Sequence, residues 1–160
     1  ACFERELRHW RQLRRSWYMG MFQIPHLPEA ALSVRQGYII GKIFERMAIH
    51  REHMPDAIVQ HYRQQACVPG ALTAMLNYYR AALHGGGALR QRTLGYPTIE
   101  MPTLVIWGLQ DQALVSHNLD GLGHVVRNLT VVRMANAGHF VHEEEPNRVT
   151  GELLAWLQNL

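Results

Sequence analysis

With 160 residues, of which 48% are hydrophobic, the chain is long enough for one domain with an apolar core. Its formal net charge of +3 is small and its basic residues are scattered, so we expect no binding to nucleic acid. No apolar run approaches the roughly 18 residues that a membrane span needs. The two cysteines have no metal-site or disulfide spacing, and we therefore expect a reducing, cytoplasmic location.

The first 90 residues contain a series of predicted helices. Apolar residues at steps of three and four predict a helix over 3–22. Pro28 opens a second short helix, and a third spans 36–47. Asp56 is predicted to cap a helix that runs to Gln65, and another apolar stripe predicts a helix over 71–83.

After a linker over 88–101, the pattern changes to strand, helix, strand, helix. The predicted strands cover 103–107 and 129–134, and the predicted helices cover 115–127 and 146–158. Glu143, Glu144 and Glu145 precede Pro146, and we expect them to favour the helix N-terminus electrostatically. Two parallel strands that are apolar on both faces need neighbouring strands, so we expect this chain to be the C-terminal part of a larger protein.

One polar residue of catalytic type follows each predicted strand. Asp111 comes after the first strand and His139 after the second. Open α/β sheets place their catalytic residues at this edge. In the triad of α/β hydrolases the nucleophile comes first along the chain, the acid second and the histidine third, so an acid followed by a histidine fits the last two positions. A G-x-S-x-G or G-x-D-x-G nucleophile turn is absent from the sequence. The pattern therefore predicts two members of a triad whose third member lies elsewhere.

Four motifs occur in one order along the chain. They are Ser-Trp-Tyr-Met-Gly-Met-Phe-Gln-Ile-Pro over 16–25, Leu-Asn-Tyr-Tyr-Arg-Ala over 76–81, Met-Pro-Thr-Leu-Val-Ile-Trp-Gly-Leu-Gln-Asp over 101–111, and Ala-Gly-His-Phe-Val over 137–141. Together they resemble the second half of the epoxide hydrolases of the α/β-hydrolase fold. The resemblance implies an α/β fold class, namely the C-terminal portion of an α/β-hydrolase fold with an all-helical cap (lid) domain. It implies a cap over 1–95 and the last two core strands with their helices over 96–160.

The resemblance also implies an activity and a site. Tyr18 and Tyr79 match the pair of cap tyrosines that donate to an epoxide oxygen, and Asp111 and His139 match the acid and the histidine of the triad. Substrate-binding roles are expected for Phe22, Phe140 and Trp17. The implied reaction converts an epoxide to a vicinal diol through an alkyl-enzyme ester on an Asp in the N-terminal half. The implied partners are a small epoxide, water and that N-terminal half, with no cofactor and no metal; a homodimer is left open.

Three alternatives to an epoxide hydrolase stay open at this point: two other enzymes of the same fold and a non-catalytic role. A haloacid or haloalkane dehalogenase of the same fold would need N–H donors in the lid for a halide, and Trp17 could be such a donor. Another α/β hydrolase with a Ser nucleophile would be an esterase. The third reading is that the chain alone is a non-catalytic lid and core segment, because it has no nucleophile.

Overall fold

The computed structural model describes residues 10–84, 86, 90, 93–95 and 97–160. Helices occupy most of the chain from Trp10 to His84, and two parallel strands with flanking helices follow from Thr103. The elements are α1 (Trp10–Arg15), α2 (Tyr18–Met21), α3 (Leu27–Met47), α4 (Asp56–Ala66), α5 (Ala71–His84), β1 (Thr103–Gly108), β2 (Leu129–Met134), α6 (Val141–Glu144) and α7 (Pro146–Leu157). In this described part of the chain, no helix has the length and apolar character to cross a lipid bilayer.

The predicted helix over 3–22 is interrupted in its second half. Its first part, 3–9, lies outside the described residues. Beyond Arg15 the backbone winds more tightly than an α-helix. Met19 N–H donates to the carbonyl of Ser16 at 3.0 Å, and Gly20 N–H donates to the carbonyl of Trp17 at 3.1 Å. Bonds of this i to i−3 type are typical of 3₁₀ turns, and they separate α1 from α2.

The second and third predicted helices form α3, which is broken by a kink at Val34–Gly37. Arg35, Gln36 and Gly37 all have positive φ, between 48° and 71°. The guanidinium of Arg63 on α4 donates to the carbonyls of Gln36 at 3.0 Å and Arg35 at 2.9 Å. The kink therefore has its free carbonyls satisfied by a side chain from the neighbouring helix.

The prediction that Asp56 caps the next helix is wrong, although the helix itself is present. Asp56 is the first residue of α4, and its N-cap Pro55 has no side-chain hydrogen bond. The carboxylate of Asp56 instead accepts a hydrogen bond from Arg51 at 2.7 Å. The helix starts one residue earlier than predicted, so Asp56 lies inside its first turn and not at the N-cap.

A small apolar core joins α3, α4 and α5. Its buried members are Leu32, Ala66, Leu72 and Leu76, and Phe22 and Ile40 pack against them. Leu72 and Leu76 lie one helical turn apart, so α5 presents one face to this core. Tyr18 lies on α2, which ends just before Phe22, and Tyr79 lies on α5, so the two predicted tyrosines belong to elements next to this core.

The two predicted strands are confirmed as a parallel pair. The register aligns Thr103 with Leu129 and Gly108 with Met134, so both strands end at the same edge of the sheet. The predicted helix over 115–127 is wrong, because this stretch forms two 3₁₀ turns, Ser116–Leu119 and Leu122–His124. Gly121 between them has a φ of 79°, a left-handed conformation that ends helical winding.

The last predicted helix is confirmed as α7, which opens with Pro146 in its first turn. The predicted domain boundary between residues 95 and 96 falls between α5 and β1 and stays a prediction.

Candidate functional site

Asp111 and His139 meet where the two strands end. The carbonyl of Ala137 accepts from Gln110 N–H at 3.0 Å, which joins the turn after β1 to the turn after β2. Across this junction His139 Nδ1 lies 2.9 Å from Asp111 Oδ2. A carboxylate accepts, so Nδ1 carries the proton of this bond and Nε2 is the nitrogen that can take a proton from water.

The close approach of the two turns depends on Gly108, the last residue of β1. A Cβ at this position would lie 2.2 Å from the carbonyl oxygen of Gly138 and 2.5 Å from that of Ala137. Backbone atoms cannot yield to such a contact as a flexible side chain can. Glycine is therefore required for the two strand ends to bring Asp111 and His139 into contact.

The Asp111 carboxylate is held by more than the imidazole. Its Oδ1 accepts from the N–H groups of Ala113 at 2.7 Å and Leu114 at 2.9 Å, and its side chain is 8% exposed. Burial by itself would raise the pKa of Asp111. The hydrogen bonds from His139, Leu114 and Ala113 outweigh that effect and lower the pKa below 3.8. Asp111 is therefore an anion at neutral pH.

Tyr18 and Tyr79 meet on the helical side of the site. Their ring centroids lie 5.9 Å apart with an interplanar angle of 80°. Burial, the neighbouring Tyr79 and its hydrogen bond, and the charge of Asp111 raise the pKa of Tyr18 to about 12. Tyr18 therefore stays a phenol at neutral pH, and it lies close enough to Asp111 to be affected by that charge.

The predicted aromatic residues have different surroundings. Phe22 contacts both phenol rings, at centroid distances of 5.3 Å from Tyr18 and 5.1 Å from Tyr79. Phe140 lies 5.1 Å from the His139 ring. Trp17, by contrast, is 69% exposed on the surface of this chain. The substrate-binding roles of all three stay predictions.

Arg80 holds the tyrosine-bearing elements together. Its guanidinium donates to both carboxylate oxygens of Glu29, at 2.7 and 3.0 Å, and to the carbonyls of Phe22 at 2.9 Å and Ile24 at 3.2 Å. The hydrogen bonds from Arg80 lower the pKa of Glu29. Because Arg80 follows Tyr79 directly, this network fixes α5 to the segment that follows α2.

Gln12 is a residue that the sequence did not single out. It is fully buried, and its amide reaches the turn after β1 from α1. Its Nε2 donates to the carbonyl of Ala113 at 3.0 Å, and its Oε1 accepts from Val115 N–H at 3.2 Å. Arg15 adds a bond to the carbonyl of Asp111 at 3.1 Å. Both ends of one amide thus hold the Asp111 turn.

The three predicted helix-start glutamates do lie at helix N-termini, with Glu143 and Glu144 in the first turn of α6 and Glu145 just before α7, but two of them also bind other parts of the chain. The carboxylate of Glu143 accepts from the hydroxyl of Tyr62 at 2.7 Å. Glu144 is fully buried and accepts from the N–H of Gly138, the residue before His139. A run of three acids in sequence gives no sign of which one turns inward, because its partners lie on other elements.

The arrangement combines hydrogen-bond donors, a base and an acid that orients the base. Within the described part of the chain, no cluster of three or more His, Cys, Asp or Glu residues is arranged to hold a metal ion. The imidazole of His139 can transfer a proton, and the phenols can donate hydrogen bonds.

The fold and this site define the class of protein. The family model described as the alpha/beta hydrolase fold matches residues 44–146, and the chain belongs to that family. The predicted fold class, part of an α/β-hydrolase fold with a helical cap, is confirmed.

Several of the more particular relatives are epoxide hydrolases. The chain is 30% identical to epoxide hydrolase 3 of Mus musculus over 98% of this chain and 42% of that protein. It is also 30% identical to the AB hydrolase superfamily protein YfhM of Bacillus subtilis, over 92% of this chain and 50% of that one. The crystal structure of an epoxide hydrolase from Bacillus megaterium superimposes with a TM-score of 0.81 at 27% identity, over 98% of this chain and 56% of that chain. The chain thus spans about half the length of the relatives it matches, and its resemblance to epoxide hydrolases is confirmed.

Proposed function

We propose that this chain supplies the cap tyrosines, the acid and the histidine of an epoxide hydrolase whose nucleophilic Asp lies in the rest of the hydrolase core. The observation that carries the proposal is the joint presence of two phenols in contact and a carboxylate bound to an imidazole. The similarity to epoxide hydrolases supports the same reaction.

In the first step the phenols of Tyr18 and Tyr79 donate hydrogen bonds to the epoxide oxygen. The nucleophilic carboxylate attacks a ring carbon from the opposite side, a carbon–oxygen bond of the epoxide breaks, and an ester forms. The alkoxide oxygen takes the proton of one phenol. A Tyr18 pKa of about 12 suits this role, because the donor stays protonated until the strongly basic alkoxide appears.

In the second step His139 Nε2 removes a proton from a water molecule. The resulting hydroxide attacks the ester carbonyl, and collapse of the intermediate restores the carboxylate and releases the diol. Asp111 keeps Nδ1 protonated and stabilises the imidazolium that forms. The proton on the imidazolium returns through solvent to the tyrosinate, so the overall reaction consumes one water molecule.

The dehalogenase alternative depended on Trp17 as a halide donor in the lid. Its side chain is 69% exposed, and the site described above offers two hydroxyl donors instead. A hydroxyl that can give up its proton suits an alkoxide, whereas a halide is too weak a base to need one. The tyrosine pair therefore favours epoxides over halides as substrates.

Oxygen labelling tests the two-step route. The full-length protein, in excess over styrene oxide, reacts once in water enriched in ¹⁸O. The ester route predicts a diol without label after the first turnover, because the oxygen added to the substrate comes from the carboxylate. Label in that first diol would mean direct attack by water and would contradict the proposal. The 160-residue chain alone serves as the control, and we expect it to produce no diol because it has no nucleophile.

A further inference from the structure

Glu144 is a fully buried carboxylate on α6, five residues after His139. Both of its oxygens lie 3.2 Å from the N–H of Gly138. Its Oε2 also accepts from the N–H groups of Ile49 at 2.9 Å and His50 at 3.2 Å. Burial of a carboxylate is costly unless donors surround it, and here three backbone N–H groups do so.

The three donors come from two separate parts of the chain. Gly138 directly precedes His139 in the turn after β2, whereas Ile49 and His50 follow the end of α3. A single carboxylate therefore holds the peptide before the triad histidine against the segment that leaves the helical part of the molecule. Because backbone N–H groups cannot rotate away as side chains can, the carboxylate of Glu144 fixes the positions of both chain segments.

Neighbouring contacts lie along the same junction. The Phe140 ring stacks on the Phe44 ring of α3 with a centroid distance of 4.3 Å, and the Tyr62 hydroxyl of α4 donates to Glu143. The ring of His53 hydrogen-bonds the carbonyl of Glu144. The segment from 138 to 145 thus lies on the corner between α3 and α4, and Glu144 is its buried anchor.

We propose that Glu144 is a positioning residue for His139, holding the Gly138 peptide on the corner between α3 and α4 so that the imidazole faces both Asp111 and the ester. This inference rests on the proposed function, because it assigns Glu144 to one step of that reaction. His139 acts in the hydrolysis of the ester, whereas the tyrosines act in its formation. Displacement of the His139 turn should therefore slow the second step and leave the first unchanged.

Single-turnover kinetics of the full-length protein with styrene oxide separate the two steps. We expect Glu144→Met to slow hydrolysis of the ester by about 10- to 100-fold, the size of effect that a displacement near 1 Å produces, with the rate of ester formation unchanged. Glu144→Gln should recover part of the loss, since one amide oxygen in place of Oε2 keeps an acceptor for the N–H groups of Ile49 and His50 and lies within reach of Gly138 N–H, although it has two lone pairs for three donors. The matched control is Glu145→Gln, the neighbouring acid, for which we expect both rates of the wild type.

A second variant displaces the same contact from the other side. A Cβ on Gly138 would lie 2.8 Å from Glu144 Oε1 and 2.8 Å from Ile49 Cγ1. Gly138→Ala should therefore also slow hydrolysis more than formation, and it tests the proposal even if Glu144→Met does not fold. Gly123→Ala, where a Cβ would meet nothing within 4 Å, is its control.

A substrate-free measurement separates this inference from the proposed function. The NMR signal of the proton on His139 Nδ1 reports the bond to Asp111, and we expect it to shift or disappear in Glu144→Met. If the wild type forms no ester, but the signal is present in the wild type and lost in Glu144→Met, the proposed function alone is refuted. Equal slowing of both steps, or normal hydrolysis with an unchanged signal, would overturn the role of Glu144.

Discussion

The turn that contains Asp111 and the segment that contains Glu144 both bring a buried carboxylate close to His139, but the two carboxylates have different partners. Asp111 binds the imidazole itself, at 2.9 Å. Glu144 binds the peptide N–H of the preceding residue, Gly138. A carboxylate bound to an imidazole can stabilise a proton that the ring takes up in a reaction, whereas one bound to fixed peptide groups can only hold geometry. One histidine thus has two carboxylates near it, of which Asp111 is suited to chemistry and Glu144 to positioning.

The largest expected effect comes from Asp111. In the full-length protein, Asp111→Asn should lower kcat for epoxide hydrolysis by about 10⁴-fold, because the amide cannot hold the imidazole in the tautomer that leaves Nε2 unprotonated. The far-UV circular dichroism spectrum should stay that of the wild type. A loss of only about 10- to 100-fold, the size expected for Glu144→Met, would place Asp111 with Glu144, as a residue that only shapes the turn.

The next effect concerns the helical side of the site. Tyr18→Phe and Tyr79→Phe should each slow ester formation by about 10²- to 10³-fold, since each removes one donor to the developing alkoxide. The double variant should form almost no ester. Tyr78→Phe is the control, because Tyr78 is 77% exposed and its hydroxyl has no assigned role. Normal ester formation in the double variant would refute the assignment of the phenols as donors.

A smaller effect tests how the two turns are brought together. Gly108→Ala should lower the free energy of unfolding by about 1–3 kcal/mol, because the new Cβ would collide with backbone atoms of the His139 turn. Gly151→Ala is the matched control on α7, where a Cβ would meet nothing within 4 Å. That control should raise the same free energy by up to about 1 kcal/mol, as expected for alanine in a helix. Chemical denaturation measures both, and equal stability of the two variants would contradict the close approach.

The smallest effect is a dependence of stability on pH. The pKa of Asp111 is lowered in the folded protein, so its bonds contribute stability above about pH 3.8, and this contribution is lost as the pH falls through the lowered pKa. The difference in unfolding free energy between wild type and Asp111→Asn should therefore shrink in acid. A difference that stays constant between pH 6 and pH 3 would mean that the carboxylate is not stabilised as an anion.

The strands and the acid–histidine pair could be predicted from the sequence because their signals are local. Two short runs rich in β-branched residues end beside Asp111 and His139, and parallel strand ends must meet at one edge. Gln12 and Glu144 could not be found in this way. Their partners lie 103 residues away at Val115 and 95 residues away at Ile49. Hydrophobic periodicity describes which face of an element is buried, and it does not describe which distant backbone group a buried polar side chain binds.

The wrong helix over 115–127 has a similar cause. Its apolar residues fit a helical period, but Gly121 takes a left-handed conformation and Val126 is drawn into a parallel bridge with Ile99. Tertiary pairing outweighed a weak local preference. The kink in α3 at Val34–Gly37 also depends on a distant residue, since Arg63 of α4 satisfies its carbonyls.

The most direct test of His139 as the base that hydrolyses the ester is the mass of the full-length His139→Gln variant after incubation with styrene oxide. We predict an increase equal to the mass of one epoxide, located on a carboxylate outside this chain, because the ester forms and cannot be hydrolysed. An unmodified protein that still produces diol at the wild-type rate would contradict the assignment of His139 as the base.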